Sequence, residues 1–424
     1  MRSRLRLVIV FMFASLLLPG CTPQTASENS ITLDFWAMGS EGERVQGLLP
    51  AFEREHPGIT VRVQQIPWSS AHEKLLTAHV GGTLPDVFQL GNTWLPEFVA
   101  LRALAPLDNV LSAEAQADIF PGVLAANRMN GHLYGLPWYV DTRLLFYRAD
   151  LLQQAGVARA PQTWSEWTDA LHRLKAHTGH APLSLPFSEW QTLVALSLQQ
   201  RAELLRDDGR YGAFSQPAFR EAFAFYLGLF EQGLAEVGGE LRVGNLYQAF
   251  ADGRIAMLVS GPWNLGEFER RMPPGLRDAW GTAPLPVPDG AAYQGRSIAG
   301  GASLAVNVKS PHPQAARALL QFLSAPEQQL NFYRATGDLP VRKSAWQLGN
   351  LQQSARIDAF WQQLQQVQGV PPVPEWERLA SLVMRHAERV ARGLESQEQA
   401  LAAIDKETDA MLEKRRWLME RSAP

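Results

Sequence analysis

From residue 31 onward, the hydrophobic positions switch repeatedly between two spacings. Residues 31–36 are apolar and β-prone, which predicts a strand. Val45, Leu48, Leu49 and Phe52 then recur at i, i+3, i+4 and i+7, one face of a helix. Pro50 falls inside that stripe; it lacks an N–H and should kink the helix. His56-Pro57-Gly58 ends it. In 59–66, Ile59, Val61 and Val63 take one face and Thr60, Arg62 and Gln64 the other, as a strand requires. Residues 71–80 read as a helix stopped by Gly81-Gly82, and 86–90 as a short strand. Strands alternating with helices predict an α/β fold, a parallel sheet with helices on its faces.

The middle of the chain is more helical. Thr163-Trp164-Ser165-Glu166 is a capping box, followed by Trp167, Leu171 and Leu174 on one face and Gly179 as a stop. Segments 189–200 and 217–232 also read as helices. Strand patterns return at 255–259 and 304–308, and Ala316, Leu319, Leu320 and Leu323 mark another helix. A last helical region begins near Glu377, with a second capping box at Ser396–Gln399. No repeat or long linker interrupts the chain.

The N-terminus changes the picture. Arg2, Arg4 and Arg6 precede a twelve-residue apolar run from Leu7 to Leu18, then Pro19, Gly20 and the sole cysteine, Cys21. A basic start, a short apolar run and small residues describe a secretory signal over 1–20. Twelve residues are too few to span a bilayer, which needs about 20. A lone cysteine forms no internal disulfide. Leu18-Pro19-Gly20-Cys21 resembles the lipobox of bacterial lipoproteins, with Pro19 a departure from the usual pattern. The resemblance implies a lipidated Cys21, with 21–27 as anchor and polar tether, and a periplasmic or outer-surface location. Loss of the three arginines takes the formal charge from −3 to −6. That mild acidity, without a basic cluster, argues against nucleic acid as a partner. The mature length suits two domains.

Several segments, in order, resemble the family 1 extracellular solute-binding proteins, the sugar-binding subunits of ABC importers. They are Leu33-Asp34-Phe35-Trp36-Ala37-Met38-Gly39, Leu84-Pro85-Asp86-Val87-Phe88-Gln89-Leu90, Gly131-His132-Leu133-Tyr134-Gly135-Leu136-Pro137 and Leu145-Phe146-Tyr147-Arg148-Ala149-Asp150-Leu151-Leu152. Pro161-Gln162-Thr163-Trp164, Phe250-Ala251-Asp252-Gly253-Arg254-Ile255-Ala256-Met257 and Gly261-Pro262-Trp263 complete the set. Arg143 and Arg148 depart from the pattern. The resemblance implies a two-lobed periplasmic-binding-protein fold of type II, its lobes joined by crossovers near 137–142, 282–286 and 338–342. One lobe would combine 28–138 with 286–338, the other 143–281 with 343–424. It also implies a carbohydrate ligand, a membrane permease as partner, a monomer and no catalysis.

A sugar has apolar C–H faces and a ring of hydroxyls, so aromatic faces and fixed hydrogen-bonding groups suit it. Carboxylates accept from two hydroxyls and bond more strongly than neutral acceptors. Open α/β sheets present ligands at the carboxyl ends of their strands. Candidate contacts therefore follow strand ends and crossovers. After the first strand stand Trp36, either a stacking face or core, and Ser40 and Glu41, where maltose-binding members of the family have polar contacts. Glu41 equally suits the dipole of the next helix. Asn92, Thr93 and Trp94 follow the third strand; the first two also suit a helix cap. On the first crossover, Asp141 matches a ligand-binding carboxylate of the family, Trp138 is a candidate stacker, and Arg143 binds a hydroxyl, orients Asp141 or forms an interlobe ion pair. In the second lobe Trp263 matches a stacking tryptophan, and Trp190 and Trp376 are further candidates. Gly300 and Gly301 would let backbone approach the ligand. Stacking also fits 13 tryptophans beside 8 tyrosines, although Trp164, Trp167 and Trp417 lie on helical stripes and read as packing.

Other chemistries find little support. His172 and His177 are five apart and do not share a helix face. No zinc-protease motif, nucleotide-binding glycine loop, nucleophile elbow or calcium loop is present, so no cofactor or metal is expected. Two readings stay open beside a sugar receptor. One is a surface glycoside hydrolase using two carboxylates, such as Glu41 and Asp141. The other is a binding protein for a non-sugar solute.

Overall fold

The computed structural model of the chain describes residues 30–238, 245–291 and 295–422. Cys21 and the leader and tether expected over 1–27 lie outside these residues. Two separate sheets organise the fold. The first has six strands in the order Leu339–Pro340, Leu136–Val140, Ala302–Val306, Val87–Gly91, Ile31–Met38 and Ile59–Ile66. The second has four: Trp280–Ala283, Leu144–Arg148, Met257–Ser260 and Leu183–Ser184. Each sheet has its own helices and hydrophobic core, giving the expected two-lobed α/β architecture.

The parallel arrangement holds only in part. Ile31–Met38 pairs in parallel with Ile59–Ile66 and with Val87–Gly91. Ala302–Val306 then enters antiparallel between Val87–Gly91 and Leu136–Val140. Central strands covered on both faces have no polar side, and Val87–Gly91 and Ala302–Val306 are buried throughout. Only the edge strand Ile59–Ile66 keeps its alternation exposed.

Local signals translate with identifiable shifts. The stripe around Pro50 is broken upstream of the proline: helix Gly39–Arg44 passes through a 3-10 turn, Val45–Gly47, before a new helix, Leu49–Glu55. Pro50 occupies the first turn of that second helix, where no N–H is needed. Thr163 caps Trp164–Thr178, but Glu166 turns to the Gln162 N–H (2.8 Å), so the box is only half reciprocal. The Ser396–Gln399 box is complete. No helix among the described residues is long and apolar enough to cross a membrane.

The chain leaves the first sheet after Val140, returns to it at Ala302, and leaves again after Pro340. The second passage is longer than expected. Val287 bridges to Thr163, its carbonyl accepts from Trp164 N–H (2.8 Å), and the Gln363 side chain accepts from Leu285 N–H (3.2 Å). Residues 284–291 thus stay with the second lobe, and the boundary expected at 286 shifts toward Gly300. Ile119, Phe120 and Val123, expected in the first lobe, share a core cluster with Trp346 and Phe360. Trp346 is fully buried, meets Phe120 and Trp361 edge-on, and donates from Nε1 to the Pro340 carbonyl (2.8 Å). It ties the third passage to the packing behind the cleft. Trp346→Ala should destabilise the protein by about 3–5 kcal/mol in urea unfolding; a loss under about 1 kcal/mol would show that this cluster collapses around the void.

Candidate ligand-binding cleft

The strands Ile31–Met38, Ile59–Ile66 and Val87–Gly91, the first three along the chain, are parallel, so their carboxyl ends share one edge. The segments just past those ends face a common cleft of about 580 Å³: Ser40 and Glu41 after the first strand, Trp68 after the second, Asn92 to Trp94 after the third. The second lobe supplies Trp190, Gln191, Trp263 and Glu377. The passages between lobes supply Tyr139, Asp141, Arg143, Ile298, Gly300, Gly301, Thr336 and Asp338. The volume lies within the range of ordinary small-molecule sites, roughly 300–1,000 Å³.

A hydrogen-bonded chain fixes the first wall. Gln89, fully buried, accepts from Met38 N–H (2.7 Å) and donates to Tyr139 Oη (3.1 Å). Tyr139 Oη donates to Glu41 Oε1 (2.9 Å), which also accepts from Trp68 Nε1 (3.2 Å). Glu41 is thereby aimed, and Oε2 is left with only the Ser40 hydroxyl at 3.3 Å. Burial, with the Glu41 charge beside it, pushes the Tyr139 phenol well up, so it stays a donor.

The crossover carries the charge. Arg143 Nη1 donates to Asp141 Oδ1 (3.2 Å) and its guanidinium lies 4.7 Å from the centre of the Trp263 ring. Arg143 Nε is buried and has no hydrogen-bond partner; a Glu189 carboxylate oxygen stands 3.9 Å away. Burial raises the Asp141 carboxyl, against the pull of Arg143 and of the Gly301 N–H. Asp338 is pushed up to about 8 by burial and then by the negative charge of Glu41 and Asp141. Glu41, Asp141 and Asp338 thus crowd one floor, where only Asp141 is paired with the guanidinium and the Asp338 carboxyl is held well above its ordinary range.

Two glycines let the backbones meet. A Cβ on Gly300 would stand 2.0 Å from Asp141 Oδ1, and one on Gly301, at φ +98°, 2.4 Å from the Tyr139 carbonyl. A Cβ on Gly261 would stand 1.9 Å from the Trp263 ring, so Gly261 is the floor on which that indole lies.

Eleven of the fourteen expected contacts line the cleft: Ser40, Glu41, Asn92, Thr93, Trp94, Asp141, Arg143, Trp190, Trp263, Gly300 and Gly301. Within that set Asn92 is engaged at both ends, donating to the Gly300 carbonyl (2.9 Å) and accepting from Ser303 Oγ (2.8 Å). Its role is to hold the crossover. Three tryptophans are placed elsewhere. Trp138 is buried and stacks on Phe332 at 4.3 Å; side chains alternate along a strand, so with Tyr139 and Asp141 facing the cleft, Trp138 faces the core. Trp36 packs within the sheet under Lys74 Nζ, 4.9 Å from its ring. Trp376 is buried and meets Trp190 edge-on at 5.3 Å, so it braces a cleft residue from behind.

Sequence reasoning missed Trp68, Tyr139, Gln191, Thr336, Asp338 and Glu377. Two of these carried a signal: Trp68 follows the carboxyl end of the second strand, and Tyr139 shares the strand parity of Asp141. Asp338 stands at the third expected crossover. Gln191, Thr336 and Glu377 had none.

A cleft at the carboxyl edge of one lobe, closed by a second lobe and floored by the chain passing between them, defines a two-lobed solute receptor. The chain belongs to the bacterial extracellular solute-binding protein family, which it matches over residues 38–330. It is similar to the sugar-binding protein MalE of Xanthomonas citri: 44% identity over 92% of this chain and 99% of that one, with a TM-score of 0.86. The GacH receptor of Streptomyces glaucescens, solved unliganded and with acarbose, has 25% identity over 91% and 99% of the two chains and a TM-score of 0.80. The diacetylchitobiose binding protein DasA of Streptomyces coelicolor is 26% identical over 81% of each chain. The family and these relatives are binding proteins.

The Asp338 proton has a measurable consequence. The folded chain holds it up to about 8, whereas the unfolded chain releases it near 3.8. The folded state therefore binds the extra proton between those values, and this contribution to stability is lost as pH rises through them. Asp338→Asn should flatten the pH dependence of the urea midpoint relative to the parent protein; parallel profiles for the two proteins would contradict the protonated carboxyl.

Proposed function

We infer that the protein is the extracytoplasmic, lipid-anchored receptor of an ABC importer, which captures a mono- or oligosaccharide between its lobes and hands it to the membrane permease. The observation that carries the reading is the pairing, in one cleft, of four indoles with the Glu41, Asp141 and Asp338 carboxyl groups. Trp68, Trp94, Trp190 and the part of the Trp263 ring between Gly261 and Arg143 that reaches the cleft offer apolar surface for sugar C–H groups, and the carboxyl groups offer acceptors and one donor for hydroxyls. Arg143 Nε is a buried donor awaiting an acceptor. Its single positive charge does not suit a polyanion, and one oxygen each of Glu41 and Asp141 is already bonded, to Tyr139 and Trp68 and to Arg143.

The likeness to MalE, GacH and DasA supports a carbohydrate ligand. A ligand touching both lobes favours the closed form by its differential contacts, through bending at the passages between lobes. The permease then recognises that form. The protein acts as a monomer, anchored through Cys21, and performs no chemistry on the sugar.

A thermal-shift screen of mono- and oligosaccharides should find a ligand that raises the melting temperature, since binding to the folded state alone stabilises it. No shift with any sugar, or release of cleaved product, overturns the reading. With that ligand, Trp263→Ala should weaken binding by about 2 kcal/mol or more in calorimetry. Gly261→Ala should do the same without touching the indole itself, because the added methyl takes the ring's place. Unchanged affinity in both variants removes Trp263 from the contact.

A further inference from the structure

The Thr93 hydroxyl donates to Glu377 Oε1. Thr93 lies in the turn Asn92–Trp94 directly after the first-lobe strand Val87–Gly91, and Glu377 lies in the first turn of the second-lobe helix Trp376–Ala391. The bond therefore spans the cleft. A second cavity of about 210 Å³ shares Asn92 and Thr93 with the cleft but is not lined by Glu377. That cavity shares Gly369, Val370, Pro371 and Pro372 with a third, of about 850 Å³, lined also by Arg206, Arg296 and Gln368. The bridge thus stands beside the residues common to the cleft and the second cavity, whose lining is largely apolar until the arginines and amide of the third.

The wall is stiffly mounted. Trp376, next to Glu377, is locked edge-on against Trp190. Pro371 and Pro372 fix the backbone of the loop leading to the helix, and the strand Val367–Gln368 before that loop pairs with Ser297–Ile298. On the other lobe, Asn92 is bonded at both ends of its amide. A bond between two braced elements restricts what passes between them.

We propose that the Thr93–Glu377 bridge is the end wall of the sugar site and sets how many sugar units the protein accepts, so that its ligands are short saccharides. The proposal rests on the carbohydrate reading above. With the bridge intact, a chain running from the 580 Å³ cleft toward the second cavity stops at Thr93 and Glu377. With it removed, further units can follow the path past Pro371 and Pro372, where arginine and amide groups meet hydroxyls.

Calorimetric titration with maltose through maltotetraose, and with diacetylchitobiose through its tetramer, tests this. In at least one series the parent protein should bind the two-unit member tighter than the four-unit member by about tenfold or more, a gap of about 1.4 kcal/mol. Glu377→Ala and Thr93→Val should each narrow that gap by strengthening binding of the longer members. Glu377→Gln, which keeps an acceptor oxygen at the same reach, should preserve it. A length preference unchanged by Glu377→Ala and Thr93→Val overturns the wall. So does an equal loss at every length in Glu377→Ala, which would make Glu377 a direct ligand contact, and so does a parent protein that binds the four-unit members best. If neither series binds the parent or any variant, the carbohydrate reading fails first and the wall with it.

Discussion

Two passages of the chain from one lobe to the other pack backbone against backbone in the site. Gly300 N–H donates to the Asp141 carbonyl at 2.9 Å, and Ser297 Oγ both donates to the Arg143 carbonyl and accepts from the Arg143 N–H. Backbones can run this close only because residues 300 and 301 have no side chain. The contact fixes Asp141, Asp141 fixes Arg143, and Arg143 lies over Trp263 of the second lobe. One backbone constraint thus passes position from the floor of the cleft to its far wall. A joint built this way holds the register of the groups that line the cleft.

That floor gathers negative charge. The carboxyl groups in the cleft are offset differently: Glu41 by the Tyr139 hydroxyl and the Trp68 indole, Asp141 by Arg143 and a backbone N–H, Glu377 by the Thr93 hydroxyl, and Asp338 by a strongly raised affinity for its proton. An uncompensated buried charge would cost several kcal/mol, and the arrangement avoids it while leaving lone pairs and one acidic proton toward the cleft. A ligand with many hydroxyls can exchange its water for these groups one for one. The indoles add apolar area where the hydroxyls leave off.

The two lobes are not equally independent. Each sheet has its own core, yet the Ile119–Val123 segment, Trp346 and Phe360 form a common cluster behind the cleft. The proposed opening would have to slide or reshape that packing while the cleft side separates. Closure is therefore a balance between buried area at the back and contacts at the front, among them the Thr93–Glu377 bond. Ligand affinity reports both, because binding draws on whatever closed form the empty protein already populates.

The elements were legible where one periodicity ran without competition. The strands at 31 and 59, the capped helix at 164 and the amphipathic helix at 376 stand within a few residues of where spacing put them. So did most of the cleft, since polar and aromatic residues after strand ends have few other reasons to cluster. Facing was harder. Trp138 and Trp376 have the right side chain beside the right neighbour, but strand parity turned the first into the core and helix packing put the second behind Trp190. Pro50 broke no helix, because the chain had already broken upstream. Residue order alone decides local conformation and which groups follow a strand, since both depend on near neighbours. Which groups share one space, how an acid such as Asp338 keeps its proton, and that Thr93 meets a residue 284 positions away are set by burial and by distances that exist only once the two sheets are packed.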